Sequence, residues 1–213
     1  MTETSSLPFS QACENNREPI LTVLQSTFAD RRHALEIGSG TGQHSVYFAP
    51  RLPHLIWQTS DLAENHAGIA VWHAAHPAPN LRLPLRFDLQ SSSWPQTEDG
   101  AFDAVFSSNT AHIVAWPLVM RMFAQIGMHL PAGGKLALYG PFNYNGGYTS
   151  ESNRAFDLWL RERDARSGIR HYEDIVALAE QHGLAPEHDH AMPANNRLLV
   201  FVRRGTTPRL RST

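Results

Sequence analysis

The sequence predicts an α/β fold with a seven-stranded, mostly parallel β-sheet that ends in an antiparallel hairpin. Apolar segments of strand length alternate with segments of helical periodicity, which is the pattern of successive strand and helix units. A glycine-rich turn follows the first strand, at the point where the first crossover helix should begin. The last two strand-like segments are joined by residues 193–196, a connection typical of a hairpin.

The glycine turn predicts a ligand site. Glycines stand at 38, 40 and 42, between the apolar strand and the helix. Glycine tolerates positive φ and lets a ligand approach the backbone, while the free N–H groups of a helix start favour polar or anionic atoms. A dinucleotide fingerprint needs its third glycine at the sixth position, which is Gln43 here, so nicotinamide and flavin are disfavoured. No Gly-Lys-Ser/Thr sequence follows, which argues against a nucleoside triphosphate. A tight turn without a ligand is the alternative.

The other elements follow from hydrophobic periodicity and helix-breaking residues. Residues 10–30 predict two helical pieces, the second beginning near Pro19, and this region is expected to form a lid over the site. Pro84, inside the third strand, suits the edge of a sheet or the start of a strand. The predicted strands are 34–37, 54–61, 83–87, 102–108, 135–139, 185–192 and 197–203, and the later helices are 44–52, 63–75, 116–126, 150–160 and 171–182.

Composition favours one domain that acts on a small molecule. The 213 residues, 42% of them hydrophobic, suit a single α/β domain, expected to span 1–204 with 205–213 as a disordered tail. The net charge of -2 lacks the basic surface of a nucleic-acid-binding protein. The single cysteine, Cys13, excludes an intramolecular disulfide, and no signal peptide or membrane-spanning pattern is present. We therefore expect a cytoplasmic monomer or homodimer with a small-molecule substrate and no nucleic-acid or membrane partner.

Polar residues after the predicted strands indicate where the ligand lies. Asp61 ends the second strand 61 − 42 = 19 residues after the last glycine, the spacing at which a carboxylate accepts both hydroxyls of a ribose. Helix capping is the alternative for Asp61. Asp88 and Leu89 follow the third strand, where Asp88 alternatively forms a surface turn. Asn109 and His112 follow the fourth strand, next to the crevice in which open α/β sheets hold ligands.

Four further clusters are predicted to build an acceptor pocket. The loop after the fifth strand is dense in glycine, aromatic and amide residues, which suits a pocket wall or lid, with a structural turn as the alternative. A solvated helix face is the alternative for the N-terminal cluster. The clusters are Asn16 with Arg17, Asn109 with His112, Tyr139 with Phe142 and Tyr144, and the hairpin amides Asn195 and Asn196.

The sequence also resembles a known family. An acidic residue followed by alternate glycines, from Glu36 to Gly42, resembles motif I of class I S-adenosylmethionine (SAM) methyltransferases. The whole of residues 9–203 is similar to the small SAM-dependent methyltransferase-like family that includes methyltransferase-like protein 26. The runs that carry this similarity are 16–21, 43–44, 60–61, 109–116, 139–142, 145–146, 149–153, 156–157, 168–170 and 192–196.

The resemblance implies a Rossmann-like class I methyltransferase fold with SAM as cofactor. It implies cofactor contacts from Asp88 to the adenine amino group and from the Leu89 N–H to a ring nitrogen. Two departures from the family pattern are His171, where an acid is expected, and the 109–111 segment, which bears on the substrate pocket. The implied cofactor-binding residues are Glu36, Gly38, Gly40, Asp61, Asp88, Leu89 and Asn109.

The predicted function is methyl transfer from SAM to a small polar or anionic molecule, with the acceptor atom (O, N or S) open. His112 is the first candidate for a general base, because a histidine has a reference pKa near ~6.5, and a histidine hydrogen-bonded to hold the loop is the alternative. Tyr139 is the second catalytic candidate. The alternatives are a non-catalytic SAM-binding regulatory or scaffold protein and a methyltransferase that acts on a protein or RNA, although the net charge disfavours RNA.

A metal site is not predicted. His188 and His190 share one face of a strand, with His182 and Asp189 nearby. No cysteine pair and no His-Glu-x-x-His motif accompany them, so a half-exposed hairpin strand explains them better.

Overall fold

The computed structural model describes residues 7–205 and shows a seven-stranded sheet with the strand order β3-β2-β1-β4-β5-β9-β8. The strands are β1 (His33–Ile37), β2 (Ile56–Asp61), β3 (Leu81–Arg86), β4 (Ala104–Ser108), β5 (Lys135–Gly140), β8 (Leu184–Met192) and β9 (Asn196–Arg203), with a separate pair formed by β6 (Phe142–Asn143) and β7 (Arg170–His171). The helices are α1 (Gln11–Thr27), α2 (Gln43–Phe48), α3 (His66–Ala75), α4 (Thr110–Ile113), α5 (Trp116–His129), α6 (Glu151–Arg163) and α7 (Tyr172–Gln181).

The topology confirms the predicted fold. The first five strands pair in parallel, β9 pairs antiparallel with β5, and β8 pairs antiparallel with β9. The order of strands reverses between β1 and β4. In open α/β sheets a ligand crevice lies at that point, beyond the carboxyl ends of the strands.

Both faces of the sheet are buried because helices pack on each of them, and successive strand residues point to opposite sides. On β1, Leu35 and Ile37 pack in the cluster that contains α5 and α7, whereas Ala34 packs in the cluster that contains α1 and α2. The same alternation continues on β5, where Leu138 belongs to the first cluster and Tyr139 to the second. Tyr139 therefore faces α1, at the end of β5 nearest the crevice.

The N-terminal region is a single helix, which corrects the prediction of two pieces. Ser10 caps α1 by accepting a hydrogen bond from the Cys13 N–H, and Pro19 lies inside the helix. Proline removes one backbone donor and normally kinks or ends a helix. The helix continues here because Ile20 and Leu24, one and five positions after Pro19, are fully buried against the sheet.

Other boundaries differ where local breakers act. The first crossover helix was expected to continue to residue 52, but α2 ends at Phe48 and the chain continues as a short 3₁₀ turn, Ala49–Arg51, because Pro50 supplies no N–H donor. Pro84 lies in β3, at the edge of the sheet, as predicted. Helix α4 and the β6–β7 pair were not predicted. Of the predicted tail, only Gly205 lies within the described residues.

Candidate active site

The glycine turn between β1 and α2 leaves an open space beside its backbone. All three glycines have positive φ: 74° at Gly38, 57° at Gly40 and 86° at Gly42. A Cβ atom at Gly38 would lie 2.6 Å from Thr110 Oγ1, and one at Gly42 would lie 3.1 Å from Ile69 Cα. A Cβ atom at Gly40 would meet nothing within 4 Å among residues 7–205. The turn is therefore closely packed at both ends and open in the middle, where a ligand can reach the backbone.

Asp61 ends β2 with its carboxylate beside this opening. The Gly40 N–H donates to Asp61 Oδ2 at 2.7 Å, while Leu62 N and Asn65 Nδ2 donate to Oδ1 at 2.7 and 2.8 Å. The bonds to Leu62 and Asn65 are the local capping contacts of the alternative interpretation, and they coexist with the contact to Gly40. A carboxylate offers roughly four acceptor positions, so room for about one further donor is left, and not for both ribose hydroxyls as the sequence predicted.

Glu36 is a buried acid in β1, two residues before the first glycine of the turn. Trp57 Nε1 donates to Glu36 Oε2 at 3.0 Å. Burial raises the pKa of Glu36 to about 7, although the hydrogen bonds from Trp57 and Ser39 oppose that rise. The site therefore holds a carboxyl group that titrates near neutral pH.

Asp88 has the contacts of a surface turn. Its carboxylate accepts hydrogen bonds from Gln90 N at 2.8 Å and Ser91 Oγ at 2.7 Å, and its own N–H donates to Ser92 Oγ at 3.0 Å. The bond from Ser91, followed by that from Gln90, lowers the pKa of Asp88. Leu89 packs in the hydrophobic core. These contacts match the alternative that the sequence offered for Asp88.

A cavity of about 870 Å³ lies beyond the carboxyl ends of β4 and β5, between α1, α6 and the 193–196 turn. It adjoins the glycine turn through two successive residues: Asn109 lines the cavity, and Thr110 Oγ1 lies against Gly38. Asn109 begins α4 with a φ of 61°, a left-handed conformation that asparagine tolerates better than most residues. Five predicted site residues line this cavity: Asn16, Asn109, His112, Tyr139 and Asn196.

His112 is an uncharged, buried side chain of this cavity. A Cβ atom at Gly140 would lie 3.3 Å from His112 Nδ1, so the ring packs directly against the end of β5. Burial lowers the pKa of His112 to about 4, the positive charge of Arg170 lowers it further, and Asp157 acts in the opposite direction. At neutral pH the imidazole is therefore uncharged, and it is better suited to hydrogen bonding than to taking up a proton as a general base.

Asn16 connects the cavity to the glycine turn. His44 Nε2, just after the turn, donates to Asn16 Oδ1 at 2.7 Å. Burial lowers the pKa of His44 to about 4, so this ring is also neutral. Burial raises the pKa of Tyr139 to about 12, although a hydrogen bond with Asn16 opposes the rise. One amide thus contacts the end of β5 and the start of α2.

Gln43 also ties α1 to the turn. Its Nε2 donates to Glu14 Oε1 at 2.8 Å, and its Oε1 accepts hydrogen bonds from Ser10 N and Thr41 Oγ1. The residue that breaks the dinucleotide fingerprint therefore holds the N-terminal helix in place.

The remaining predicted substrate residues are not brought to the large cavity. Phe142 is 1% exposed and packs in the core. Tyr144 and Asn195 line a separate cavity of about 340 Å³. Arg17 pairs with Glu14 at 2.7 Å and lies outside the cavity lining.

Helix α6 forms one wall of the large cavity, and this wall was not predicted from the sequence. Its lining residues recur at intervals of three and four positions, which places them on one face of the helix. That spacing was visible in the sequence, but periodicity alone does not tell a cavity-facing stripe from a core-facing one. The lining residues of α6 are Ser152, Asn153, Phe156, Trp159, Leu160 and Arg163.

The histidines of the final hairpin belong to no cluster of three possible metal ligands in the part of the chain that the structure describes. The rings of His188 and His190 lie 5.4 Å apart on β8. Across residues 7–205, no group of three or more His, Cys, Asp or Glu side chains is arranged to hold a metal ion. Within the same range, no helix combines the length and hydropathy needed to cross a bilayer.

The strand order, the glycine turn and the acid at the end of β2 together define a class I methyltransferase fold. The family model described as "Protein of unknown function (DUF938)" matches residues 7–203, and the chain belongs to that family.

Solved methyltransferase structures share this fold. An O-methyltransferase family protein from Burkholderia thailandensis superposes with a TM-score of 0.75 at 18% identity, covering 89% of this chain and 57% of that one. An O-methyltransferase family 2 protein from Planctomyces limnophilus, in complex with apigenin, gives 0.76 at 16% identity, with 90% and 57% covered. PigF with S-adenosylhomocysteine (SAH) gives 0.73 at 16% identity, with 86% and 54% covered. The chain thus spans just over half the length of these proteins.

Proposed function

We propose that the chain is a SAM-dependent methyltransferase that acts on a small polar or anionic molecule. The observation that carries this proposal is the opening at Gly40, flanked by the Asp61 carboxylate and adjoining a cavity of about 870 Å³. The opening suits a cofactor with a ribose and a polar tail, and the cavity has the volume of a small-molecule site. Glu36, Gly38, Gly40, Asp61 and Asn109 are the residues that would hold the cofactor. Asp88 and Leu89 remain a weaker part of that set, because Asp88 is engaged in its own turn.

SAM carries an activated methyl group, so the protein has to align the acceptor and exclude water. Tyr139 and His112 line the acceptor cavity with complementary hydrogen-bonding states. Because its pKa is raised to about 12, Tyr139 keeps its proton and donates. Because its pKa is lowered to about 4, His112 is unprotonated and accepts. This pair orients an acceptor hydroxyl or amine, and an acceptor that is already ionised needs no base at all.

The comparisons support this proposal at the level of chemistry. Two of the similar structures are named as O-methyltransferases, one of them in complex with apigenin, and a third, PigF, holds SAH. Oxygen is therefore our preferred acceptor atom for this chain. The closer relationship to the family that includes methyltransferase-like protein 26 rests on the motifs given above and is part of the proposal.

Cofactor binding is tested by comparing Gly40→Ala with Gly133→Ala. Both glycines have positive φ, 57° and 80°, and a Cβ atom at either would meet nothing within 4 Å among the residues described. Both variants therefore carry similar backbone strain, of order ~1 kcal/mol. Only Gly40→Ala places a methyl group in the cofactor opening. Calorimetry with SAH should show lost binding in Gly40→Ala and unchanged binding in Gly133→Ala, and equal affinity in the two variants would refute the cofactor site.

Turnover is tested by incubating the protein with SAM and fractionated small-metabolite extracts. A methyltransferase should release SAH and a methylated product that depend on the extract. If SAH binds but no fraction supports turnover, the non-catalytic SAM-binding alternative replaces this proposal.

A further inference from the structure

One face of α6 forms a graded wall of the acceptor cavity. Its N-terminal part presents Ser152 and Asn153, its middle presents Phe156 and Trp159, and its last residue is Arg163. Polar, aromatic and cationic groups therefore succeed one another along the helix axis.

The aromatic part of this wall is a pair of rings. The rings of Phe156 and Trp159 are stacked, with centroids 5.7 Å apart and an interplanar angle of 19°. The rings of His112 and Phe156 meet edge to face, at 5.4 Å. Trp159 is 46% exposed although it lines a cavity, so much of its surface is available to a ligand. A planar apolar body fits against this surface.

Arg163 ends the wall with a charge that the protein does not neutralise. Its guanidinium lies over the Trp159 ring, 4.6 Å from the centroid, which holds the side chain along the wall. Among residues 7–205 it forms no ion pair. Asp164, which follows Arg163 in the sequence, also lines the cavity, but its carboxylate is engaged by Arg166 at 2.9 Å. Arg163 is therefore a cation of the cavity lining that has no ion-pair partner among the residues described.

The wall also limits how far this charge lies from His112. Under the proposed function His112 orients the acceptor, and its ring contacts Phe156. The Phe156 and Trp159 centroids are 5.7 Å apart and the Arg163 guanidinium lies 4.6 Å from the Trp159 centroid, so the guanidinium lies within roughly 10 Å of Phe156, the spacing that seven helical residues span at a rise of ~1.5 Å each. The guanidinium fork recognises carboxylates and other oxyanions in a bidentate manner.

We propose that the acceptor substrate is an elongated planar anion, whose aromatic or conjugated body lies against Phe156 and Trp159 and whose carboxylate or other oxyanion binds Arg163, roughly 10 Å from the methyl-accepting atom. This inference rests on the proposed methyltransferase function and gives its substrate class. In this arrangement Arg163 determines specificity and takes no part in the transfer step.

The test uses para-hydroxybenzoate, para-hydroxycinnamate and a hydroxybiphenyl carboxylate, in which the hydroxyl and the carboxylate are increasingly far apart. Each acid is compared with its neutral amide by calorimetry, with and without saturating SAH. The variant is Arg163→Gln. Arg154→Gln is the matched control, because Arg154 lies on the same helix, pairs with Glu151 and is outside the cavity lining.

The two longer acids should bind more tightly than their amides, and Arg163→Gln should weaken the acids on the order of three- to tenfold, given the solvent exposure of the guanidinium. The amides and Arg154→Gln should show no such loss. Equal affinity of acids and amides, an equal loss for both in Arg163→Gln, or no binding of any acid would overturn the inference.

These outcomes are separable from failure of the proposed function. SAH binding and turnover of neutral acceptors without a preference for anions would overturn only the substrate class. Absence of SAH binding would count against the methyltransferase proposal, and the comparison of acids with amides without SAH would still test the Arg163 site.

Discussion

Replacing Glu36 with Gln should stabilise the cofactor-free protein at pH 8 and have little effect at pH 4. Burial raises the pKa of Glu36 from 4.5 to about 7. The folded state therefore holds this proton more tightly than the unfolded state, and the stability it contributes in acid is lost as the pH rises from about 4.5 through 7. At about 1.4 kcal/mol per pKa unit, the ionised form costs on the order of 3 kcal/mol above pH 8. A glutamine is uncharged, and its carbonyl oxygen can still accept the Trp57 N–H.

The assay is urea unfolding of the wild type and the variant at both pH values. The control is Glu173→Gln, since Glu173 is a surface acid that accepts the Asn145 N–H and whose pKa is lowered by that bond. Glu173→Gln should not stabilise the protein at pH 8. If Glu36→Gln unfolds at the same urea concentration as the wild type at pH 8, the buried carboxylate is not destabilising and the reasoning is wrong.

Three further predictions concern the site. Asp61→Asn should weaken SAH binding in calorimetry by roughly 10- to 150-fold, which is the range for a lost charged acceptor. The control is Asp103→Asn, which also removes a carboxylate bonded to backbone amides and should leave the SAH affinity unchanged. Asn16→Ala should lower the free energy of unfolding in urea by about 1 to 3 kcal/mol, because the buried His44 loses its hydrogen-bond partner. Replacing the exposed Asn15 with Ala should change this free energy little. Equal losses in the two variants would show that the His44 contact is unimportant. The pH profile of turnover should show no inflection near pH 6.5 that is due to His112, because the pKa of His112 is lowered to about 4. An inflection near pH 6.5 that is present in the wild type and absent from His112→Gln would contradict this prediction.

The parts of the fold predicted from sequence are those with a strict local signal. The glycine turn, the five parallel strands and the final hairpin depend on periodicity and turn chemistry, which act over a few residues. The break in α1 was predicted wrongly, because the burial of Ile20 and Leu24 stabilises the helix beyond Pro19 and burial is a tertiary effect.

The site was predicted in part, and the reason is geometric. Tyr139 and Phe142 were assigned to one pocket, yet they are three positions apart, and residues of an extended chain that are an odd number of positions apart face opposite sides. Tyr139 accordingly packs towards α1, and Phe142 packs into the core on the other face of the sheet. The contribution of α6 was not predictable, because the irregular segment 144–150 between the end of β6 and this helix does not reveal which face meets the cavity.

The contact between Asn16 and Tyr139 also has a consequence for folding during synthesis. The roughly 120 residues between them take on the order of 6 to 25 s to make at ~5 to 20 residues per second. For that time the apolar face of α1 lacks part of the sheet that buries it, because its cluster includes residues of β5 and β9, and pairings this distant in sequence form slowly. The nascent N-terminal helix therefore keeps part of its apolar face unpaired until β5 and β9 are complete.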